Sequence, residues 1–545
     1  MTDAHLPPRD KTRHVTRRAL IQQGLAAGAV MVAPQVVRVP AAGAAATTAS
    51  EACSSPAFRN SLSVSPFANQ MIAAGITFTD GARKATSVKG LQKLFNAHGA
   101  TEVYARIATK KVTTEHGASS AESGWARGLE RARLAHDLGM PFNPELGLWA
   151  EYGDASTYQQ PPDFSSYPEI RLPGPWLSLT IDQMVPVMHH YGALVSHQIL
   201  STGATVNLWD LGNEVEFGIA GVCVRPLFPS SDYVAPDRID PAIGQMSVGQ
   251  LIGMSDPERI AWLNAHLWPD IGKLLAAVAA GIRSVQPSAR FSTHVAGLGA
   301  KGTGTWTAFW DAMHKQGYVP DQFGTSFYPT APPGLFPAHP VGIVEDAARE
   351  LRRKYHRPTV IAEGGYPSGQ MPPPYIYNSP VSGYPQDVDG QARFIRDFVT
   401  VGVKEGWLGG MRPWAPDLCN GGWAPMSFFT LRGQTAIAKP ALGSIADAVR
   451  HTKGCIAGKL EAQFLGRRAR NGLAVGVHLQ SGTAERIRIQ LRRRSQVLAA
   501  ARLGQLGTQR VVVLLHTHDP LGPGRYTVTL EQSGRTVDHA QIRVN

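Results

Sequence analysis

The sequence has few cysteines, no long uninterrupted apolar run and no repeat at a fixed period. Only four cysteines occur among 545 residues, and no two of them form a C-x-x-C pair, so the pattern does not indicate a cysteine-ligated metal site. No apolar run reaches about eighteen residues, the length that a membrane-spanning helix needs. Repeat architectures are not expected either. The composition, 43% hydrophobic and 17% charged, is typical of a globular protein.

The cysteines leave two interpretations open. They are Cys53, Cys223, Cys419 and Cys455. Outside the cell an even number allows two disulfides, in three pairings between which the sequence does not choose. Unpaired buried thiols fit the sequence equally well.

The positive charge is concentrated at the two ends of the chain. The formal net charge is +12, yet residues 451–545 carry fifteen basic and five acidic residues, and residues 1–46 carry six basic and two acidic ones. The middle of the chain is therefore close to neutral, and nucleic-acid binding is not expected. The basic C-terminal region instead indicates contact with a cell wall or an anionic glycan.

Residues 1–46 have the three-part layout of an export signal. Basic residues, Arg17 and Arg18 among them, precede a mildly apolar stretch at 19–37 and a small-residue run at 41–46. The arginine pair resembles a twin-arginine signal, which implies export in the folded state. The prediction is a secreted, extracellular protein exported by a bacterial twin-arginine-type route.

Residues 70–450, after a linker at 47–69, alternate short apolar strands with amphipathic helices. Eight strands, each followed by a helix, predict a (β/α)8 TIM barrel in the α/β class, although a doubly wound open sheet gives similar alternation. The candidate strands are Ile72–Phe78, Val103–Ala108, Phe142–Leu148, Val206–Gly212, Ala289–Val295, Phe323–Tyr328, Thr359–Ala362 and Gly409–Trp414. The candidate helices are Gly90–His98, Gly124–Leu138, Ile181–Thr202, Pro257–Val285, Trp306–Gln316, Val344–Tyr355 and Gln391–Lys404.

The pattern changes beyond the barrel. Residues 456–545 contain short alternating runs separated by glycine and proline, such as 473–479 and 525–530. This spacing of strands and turns predicts a small all-β sandwich domain.

Two carboxylates follow apolar strands of the predicted barrel. Asn213-Glu214 ends the fourth strand, and Glu363 ends the seventh. The ends of these strands face each other across the mouth of a barrel, where active sites lie. Two carboxylates placed there suit glycoside hydrolysis, in which one protonates the leaving oxygen and the other attacks the anomeric carbon.

Several segments resemble glycoside hydrolase family 53, the arabinogalactan endo-β-1,4-galactanases, a family of the clan A barrel glycosidases. The similar segments run in chain order through residues 70–440. They are EVYARIA, PGPWLSLTIDQM, WDLGNEVEFG, FSTHVAG, FGTSFYPT, VIAEGGYP and GGMRPWAP. The resemblance implies a TIM barrel and retaining hydrolysis of a β-linked polysaccharide by an endo-β-1,4-galactanase-like enzyme. It implies no organic cofactor. By analogy it allows a structural cation, for which the sequence names no ligands.

The resemblance assigns catalytic roles to matching positions. Glu214 would be the acid/base and Glu363 the nucleophile. Asn213 would bond the sugar 2-hydroxyl, and Arg106 would lie beside the nucleophile and keep it ionised. Glu216 competes for the acid/base role, but the motif requires the glutamate that directly follows Asn213.

The resemblance also gives four residues to the substrate-binding walls. Tyr328 and His294 would form polar wall, Trp414 the aromatic floor, and Trp149 a further contact. Three of the assigned residues have a structural alternative: Arg106 could pair with any buried acid, His294 could be a core or rim histidine, and Trp414 could belong to the core.

The departures from the family pattern leave the substrate open. The third-strand segment PFNPELGLWAEYGD differs from the family's, as do the loops at 152–175 and 217–250. A clan A glycosidase acting on another β-glycan, or a non-catalytic carbohydrate-binding cell-surface protein, are the alternatives. The segment GLGAKG spells a dinucleotide fingerprint at Gly297, Gly299 and Gly302, but a loop after the fifth strand explains it better.

Overall fold

A computed structural model of the chain describes most of it from residue 58 onward. The described residues are 58–113, 123–332, 340–453, 460–468, 471–479, 484–494, 496–506, 510–532 and 535–544. The predicted export signal at 1–46 lies outside them. The described residues divide into two compact units, one formed by 58–395 and 406–445 and the other by 396–405 and 446–544.

The structure describes two of the four cysteines. Cys223 and Cys419 are buried free thiols, so they do not pair with each other. Burial raises the pKa of Cys223 to about 12 and that of Cys419 to about 11, which keeps both as inert thiols at neutral pH. Cys53 and Cys455 lie outside the described residues.

The first unit is built on eight parallel strands. In chain order the strands of the molecule are β1 Arg59–Asn60, β2 Thr77–Thr79, β3 Lys84–Ala85, β4 Val103–Ile107, β5 Phe142–Leu146, β6 Trp209–Leu211, β7 Gly218–Ile219, β8 Val222–Cys223, β9 Phe291–Val295, β10 Gln322–Phe327, β11 Thr359–Gly364, β12 Leu408–Pro413, β13 Phe429–Arg432, β14 Thr435–Ala438, β15 Leu460–Arg468, β16 Gly472–Leu479, β17 Ala484–Arg493, β18 Gln496–Leu506, β19 Val511–His516, β20 Gly524–Gln532 and β21 Arg535–Val544. The large sheet has the order β1-β12-β11-β10-β9-β6-β5-β4.

The two ends of this sheet meet, so the strands form a barrel. The Thr101 N–H donates to the carbonyl oxygen of Asn60 at 2.9 Å, and the Asn60 N–H donates to Thr101 Oγ1 at 3.0 Å. These bonds join β1 to the chain just before β4. The predicted (β/α)8 fold is therefore confirmed.

The first strand of the barrel is not where the sequence analysis placed it. The predicted strand Ile72–Phe78 is wrong: its end belongs to β2, in a separate small sheet of order β13-β14-β2-β3. There the Phe78 ring packs edge-on against Phe429, with the ring centroids 5.0 Å apart. The true first strand, β1, has two residues, too few to show an alternating pattern. It lies inside the predicted linker at 47–69, so the barrel begins before residue 70.

Six of the seven predicted helices are present as single helices, the seventh is divided, and four further helices of the described residues were not predicted. They are α1 Ala68–Ala73, α2 Val88–Ala97, α3 Trp125–Leu138, α4 Ile181–Leu200, α5 Pro241–Gln245, α6 Val248–Gly253, α7 Asp256–His266, α8 Trp268–Val285, α9 Gly304–Lys315, α10 Pro340–Tyr355, α11 Val388–Glu405 and α12 Ala441–Lys453. The helix predicted at Pro257–Val285 is two helices, because Pro269 near the start of α8 has no N–H to continue α7. None of the helices in the described part has the length and apolarity to cross a membrane.

The second unit contains an all-β sandwich, which confirms the predicted all-β domain. One sheet has the order β15-β16-β19 and the other β18-β17-β20-β21, and all their pairs are antiparallel. Alternate residues of both sheets point inward and share one apolar core. Its members include Leu473, Val475, Ile489, Val513 and Val528.

Gly324 in β10 allows the close approach of β9. A Cβ added there would lie 2.4 Å from His294 Cβ and 2.7 Å from the Thr293 carbonyl oxygen. We expect Gly324→Ala to destabilise the barrel by about 1–3 kcal/mol, because two strands must separate. Thermal unfolding measures this. The control is Gly342→Ala in α10, where a Cβ meets nothing within 4 Å and an alanine favours the helix. Equal unfolding temperatures for the two variants would contradict the prediction.

Candidate active site

A row of charged and polar side chains crosses the interior of the barrel. The strand register pairs Arg106 in β4 with Glu145 in β5, Glu145 with Asp210 in β6, and Asp210 with Ser292 in β9. All four are buried. Arg106 Nε donates to Glu145 Oε1 at 2.6 Å, within an ion pair. This row forms the floor of the candidate site.

Arg412, at the end of β12, completes the row from the opposite side of the barrel. Its Nη1 donates to Glu145 Oε2 at 2.8 Å, its Nη2 donates to Asn143 Oδ1 at 2.6 Å, and it forms an ion pair with Asp210. Its guanidinium also lies over the Tyr104 ring, 3.8 Å from the centroid. A buried charge must be paired in this way, because an unpaired one costs several kcal/mol.

This network was not predicted from the sequence. The sequence feature that could have indicated the network is a charged residue inside an otherwise apolar strand. Examples are Glu145 in FNPEL and Arg412 in LGGMRP. Such residues are buried only when they are paired. The pairing itself depends on the closed barrel.

Glu363, in β11, lies above this floor and is held by two donors. Arg106 Nη2 donates to Glu363 Oε2 at 2.5 Å, and the Tyr328 hydroxyl donates to Glu363 Oε1 at 2.8 Å. The Glu363 side chain is 12% exposed, whereas that of Arg106 is 2% exposed. Glu363 therefore presents a positioned carboxylate to the mouth of the barrel, as the sequence analysis expected.

Asn213 and Trp414 are joined to Glu363 through the same guanidinium. Arg106 Nη2 also donates to Asn213 Oδ1 at 2.8 Å, and the Arg106 guanidinium lies 4.3 Å from the Trp414 ring centroid. The Asn213 amide donates to the carbonyl oxygen of Gly153 at 2.7 Å. The structure thus brings together Arg106, Asn213, Glu363, Tyr328 and Trp414, five of the predicted site residues.

Glu214 occupies a left-handed backbone conformation, with φ 51° and ψ 58°. This conformation is uncommon for residues other than glycine and is often found at functional sites. Ser326 Oγ donates to Glu214 Oε1 at 2.5 Å, and the Ala155 N–H donates to Glu214 Oε2 at 3.2 Å. Burial, followed by the negative charge of Glu363, raises the Glu214 pKa well above its ordinary value. Glu214 is therefore protonated at pH values where an exposed glutamate is ionised.

The loop after β5 fixes this conformation. Gln159 Nε2 donates to the carbonyl oxygens of Asn213, at 2.8 Å, and of Glu214, at 3.3 Å. The loop is ordered by Asp154, whose Oδ1 accepts from the Ser156 and Thr157 N–H groups at 2.7 and 2.8 Å. Gln159 and Ser326 were not singled out from the sequence. Alternation along β10 would have indicated Ser326, because Tyr328 lies two residues further along the chain.

Trp149 and His294 are not on the walls of the site. Trp149 is fully buried, and its indole N–H donates to the Gly153 carbonyl oxygen at 2.8 Å, so its predicted contact with substrate is wrong. It fills space left by Gly147, where an added Cβ would lie 2.1 Å from its ring. His294 is 1% exposed and lies beneath the site rather than on its wall. Burial lowers its pKa to about 3, so it is neutral.

Glu216 is structural. Its buried carboxylate accepts from the N–H groups of Ala296, at 2.9 Å, and Gly297, at 2.8 Å. This contact holds the loop after β9, which includes the GLGAKG segment. That segment therefore binds a carboxylate of its own chain, and Glu216 is occupied there rather than available as an acid/base.

Aromatic rings line the mouth beside Glu363. Trp423 lies edge-on to Tyr328, with ring centroids 6.1 Å apart, and to Tyr375, at 5.5 Å. Tyr377 packs against Tyr328 at 5.1 Å. Tyr375 and Tyr377 are only partly buried. Amphipathic rings of this kind suit the flat apolar faces of sugars.

The described residues contain no group of three or more His, Cys, Asp and Glu side chains placed to hold a metal ion. The chemistry available is that of two carboxylates, one with a raised pKa and one in an ion pair, beside an aromatic wall. This arrangement at the mouth of a (β/α)8 barrel is suited to glycoside hydrolysis.

Comparison with known protein families also indicates glycoside hydrolysis. The model of glycosyl hydrolase family 53 matches residues 65–424, which is more than half of the chain. The chain belongs to this family and is a glycoside hydrolase that acts on O-glycosyl bonds of a polysaccharide.

Solved structures show the same fold. The chain is similar to the family 53 catalytic domain of Ignisphaera aggregans, with 16% sequence identity, 71% of this chain and 95% of that chain covered, and a TM-score of 0.51. It is similar to a structure of fungal β-1,4-galactanases, with 16% identity, 72% and 99% covered, and a TM-score of 0.51. No curated protein matches the sequence significantly.

The Ser326 hydroxyl gives a test of the Glu214 environment. Its hydrogen bond favours the ionised carboxylate and lowers the Glu214 pKa. Ser326→Ala should therefore raise that pKa further, and the alkaline limb of kcat/KM should move up by about one pH unit. The measurement is a pH profile of kcat/KM. Ser284→Ala, which removes a hydroxyl bonded to the Gly281 carbonyl in α8, should leave the profile unchanged. A downward shift for Ser326→Ala would contradict the prediction.

Proposed function

We propose that the protein is a retaining endo-β-1,4-galactanase, with Glu214 as the acid/base and Glu363 as the nucleophile. The observation that carries this proposal is the contrast between the two carboxylates: burial keeps Glu214 protonated, whereas Arg106 pairs with Glu363 at 2.5 Å. The family supports glycoside hydrolysis, and the similar fungal structures are named as β-1,4-galactanases.

The reaction would proceed in two steps. In the first, the Glu363 carboxylate attacks the anomeric carbon while Glu214 donates its proton to the leaving oxygen, so the glycosidic bond breaks and a glycosyl ester forms on Glu363. In the second, ionised Glu214 takes a proton from a water whose oxygen displaces Glu363. Two inversions give net retention.

The neighbours of the pair would support these steps. Arg106 and the Tyr328 hydroxyl hold the two oxygens of Glu363, so attack requires little reorganisation. When Glu363 leaves in the second step, the same donors stabilise its returning charge. Asn213, bound to Arg106, is proposed to contact the sugar 2-hydroxyl.

A different β-glycan is the second candidate substrate. The observation that favours it is that the loop after β5, which departs from the family pattern, contacts the acid/base directly: Ala155 bonds Glu214 and Gly153 bonds Asn213. The shape of the sugar site next to Glu214 is thus set by residues that differ from those of the family.

We expect Glu363→Gln to lower kcat/KM by several orders of magnitude on every substrate, because no other group forms the covalent intermediate. Glu214→Gln should lose as much on polysaccharide but far less on an aryl glycoside with an activated leaving group, which departs without a proton. The measurement is initial-rate kinetics on a panel of β-linked polysaccharides, β-1,4-galactan included, and on dinitrophenyl glycosides. The control is Glu169→Gln, an exposed loop glutamate.

The outcomes separate mechanism from substrate. Cleavage of galactan that is lost in both variants supports the whole proposal, and cleavage of another glycan that is lost in both moves the substrate only. Activity that survives in both variants would disprove the residue roles. A wild type that binds glycans without cleaving any would favour a carbohydrate-binding protein. An α-configured first product from a β-linked substrate, seen by NMR, would disprove retention.

We also propose that the protein is secreted through a twin-arginine route, on the strength of the sequence at 1–46. Arg17→Lys/Arg18→Lys should leave glycosidase activity inside the cell and remove it from the medium, because this route requires the arginine pair. The control Arg9→Lys should leave export intact. Activity is assayed in the two fractions of a bacterial host, and unchanged export of the double variant would refute the route.

A further inference from the structure

The four-stranded sheet of the β-sandwich has one apolar and one polar face. Ile487, Ile489 and Leu491 of β17 point into the core. Because side chains alternate along a strand, Arg488 and Gln490 between them belong to the outer face. The outer residues of β20 and β21 are polar or charged, whereas those of β18 include the apolar residues Ala500 and Val497 beside Arg502. This outer surface is well suited to contact with a partner.

Two pairs of arginines lie directly opposite each other on this face. Arg488 in β17 is the register partner of Arg502 in β18, and Arg525 in β20 is the partner of Arg543 in β21. All four are exposed, and within the described strands none takes part in an ion pair. Like charges placed directly opposite each other destabilise a sheet. Glu531 lies opposite Arg488 on its other side, and the remaining positive charge is complementary to an anionic partner. We call this surface the arginine face.

The residues between the two pairs are hydrogen-bonding groups. Gln490, Thr529 and His539 form one row across three strands. Gln490 and Thr529 are buried, at 4% and 5% exposed, whereas His539 is exposed. The acidic residue of the surface, Glu531, lies 3.6 Å from Arg492. Six residues of strand separate Glu531, opposite Arg488, from Arg525, so the arginine pairs are roughly 20 Å apart. A polymer with a negative charge at intervals fits this length better than a single small anion.

The composition of the domain narrows the partner. Residues 456–545 contain two aromatic residues, Phe464 and Tyr526, and both pack in the core. The face therefore has no ring on which a neutral sugar stacks. Each of its strong cations is an arginine, whose planar fork matches a carboxylate with two parallel hydrogen bonds.

We propose that the arginine face binds an acidic polysaccharide, a chain of uronic acids whose carboxylates pair with Arg488, Arg502, Arg525 and Arg543. The chain belongs to a glycoside hydrolase family, and its substrate is a polysaccharide. An acidic polysaccharide is therefore the polyanion expected beside that substrate. The arginine face would hold the enzyme on an acidic polymer while the barrel cleaves bonds elsewhere in the same material. This inference does not depend on which β-glycan is cleaved.

The test is binding of the full chain to polygalacturonate, measured by affinity electrophoresis and calorimetry at low ionic strength. Arg488→Gln/Arg502→Gln should weaken binding at least about tenfold, because two charge-assisted contacts are lost. Arg488→Lys/Arg502→Lys keeps the positive charge but loses the planar guanidinium. Its affinity should therefore lie between that of the wild type and that of the glutamine variant. Binding should weaken as salt is added. Hydrolysis of a soluble neutral substrate should be the same in all variants.

The matched control is Arg432→Gln/Arg510→Gln, which removes the same charge from two exposed arginines off the arginine face. Equal weakening by this control would reduce the effect to net charge and overturn the proposal. So would absence of binding by the wild type, or equal binding of neutral dextran. Tighter binding of dextran sulfate or of DNA than of polygalacturonate would overturn the assignment to uronic acids.

Discussion

The ion pair between Arg106 and Glu363 is the interaction on which the rest of the site depends. A buried guanidinium is tolerated only when its donors are satisfied, and those of Arg106 reach Glu145, Asn213 and Glu363. One side chain therefore sets the distance between the floor of the barrel, the fourth-strand motif and the seventh strand. Because Glu145 is shared with Arg412, a shift in any of these strands would unpair a buried charge.

Glu214 is set apart from this network by what surrounds it. Its carboxylate receives bonds from a hydroxyl and a backbone N–H and has no ion pair with a described residue. Desolvation then dominates and raises the pKa. Glu363, in contrast, lies in an ion pair with Arg106, so the two glutamates occupy different electrostatic environments. These two environments suit the roles proposed for Glu214 and Glu363.

Local sequence patterns were enough for the parts of the fold that depend on periodicity. Glu214 and Glu363 could be found from the predicted strand ends, because an apolar run that stops at a carboxylate is recognisable in the sequence alone. The two-residue β1 was missed, because it is recognisable only through its partner β12. Trp149 was misassigned for a related reason. Its ring packs against Gly147 and Gly153, where no side chain takes up the space, and no local sequence pattern shows this packing. The pairing of Glu145 with Arg412 joins residues that are 267 positions apart in the chain, so local sequence patterns do not predict it.

The loop after β5 shows why the fourth-strand motif can be recognisable while its surroundings diverge. Its contacts with the fourth-strand motif are made largely by backbone groups, the Ala155 N–H on Glu214 and the Gly153 carbonyl on Asn213. A backbone donor works with almost any side chain, so selection for geometry leaves the loop sequence free to change. Gln159 is the exception, since its side chain amide holds two backbone carbonyls. Side chains of this loop can therefore vary while its backbone still positions the Glu214 carboxylate.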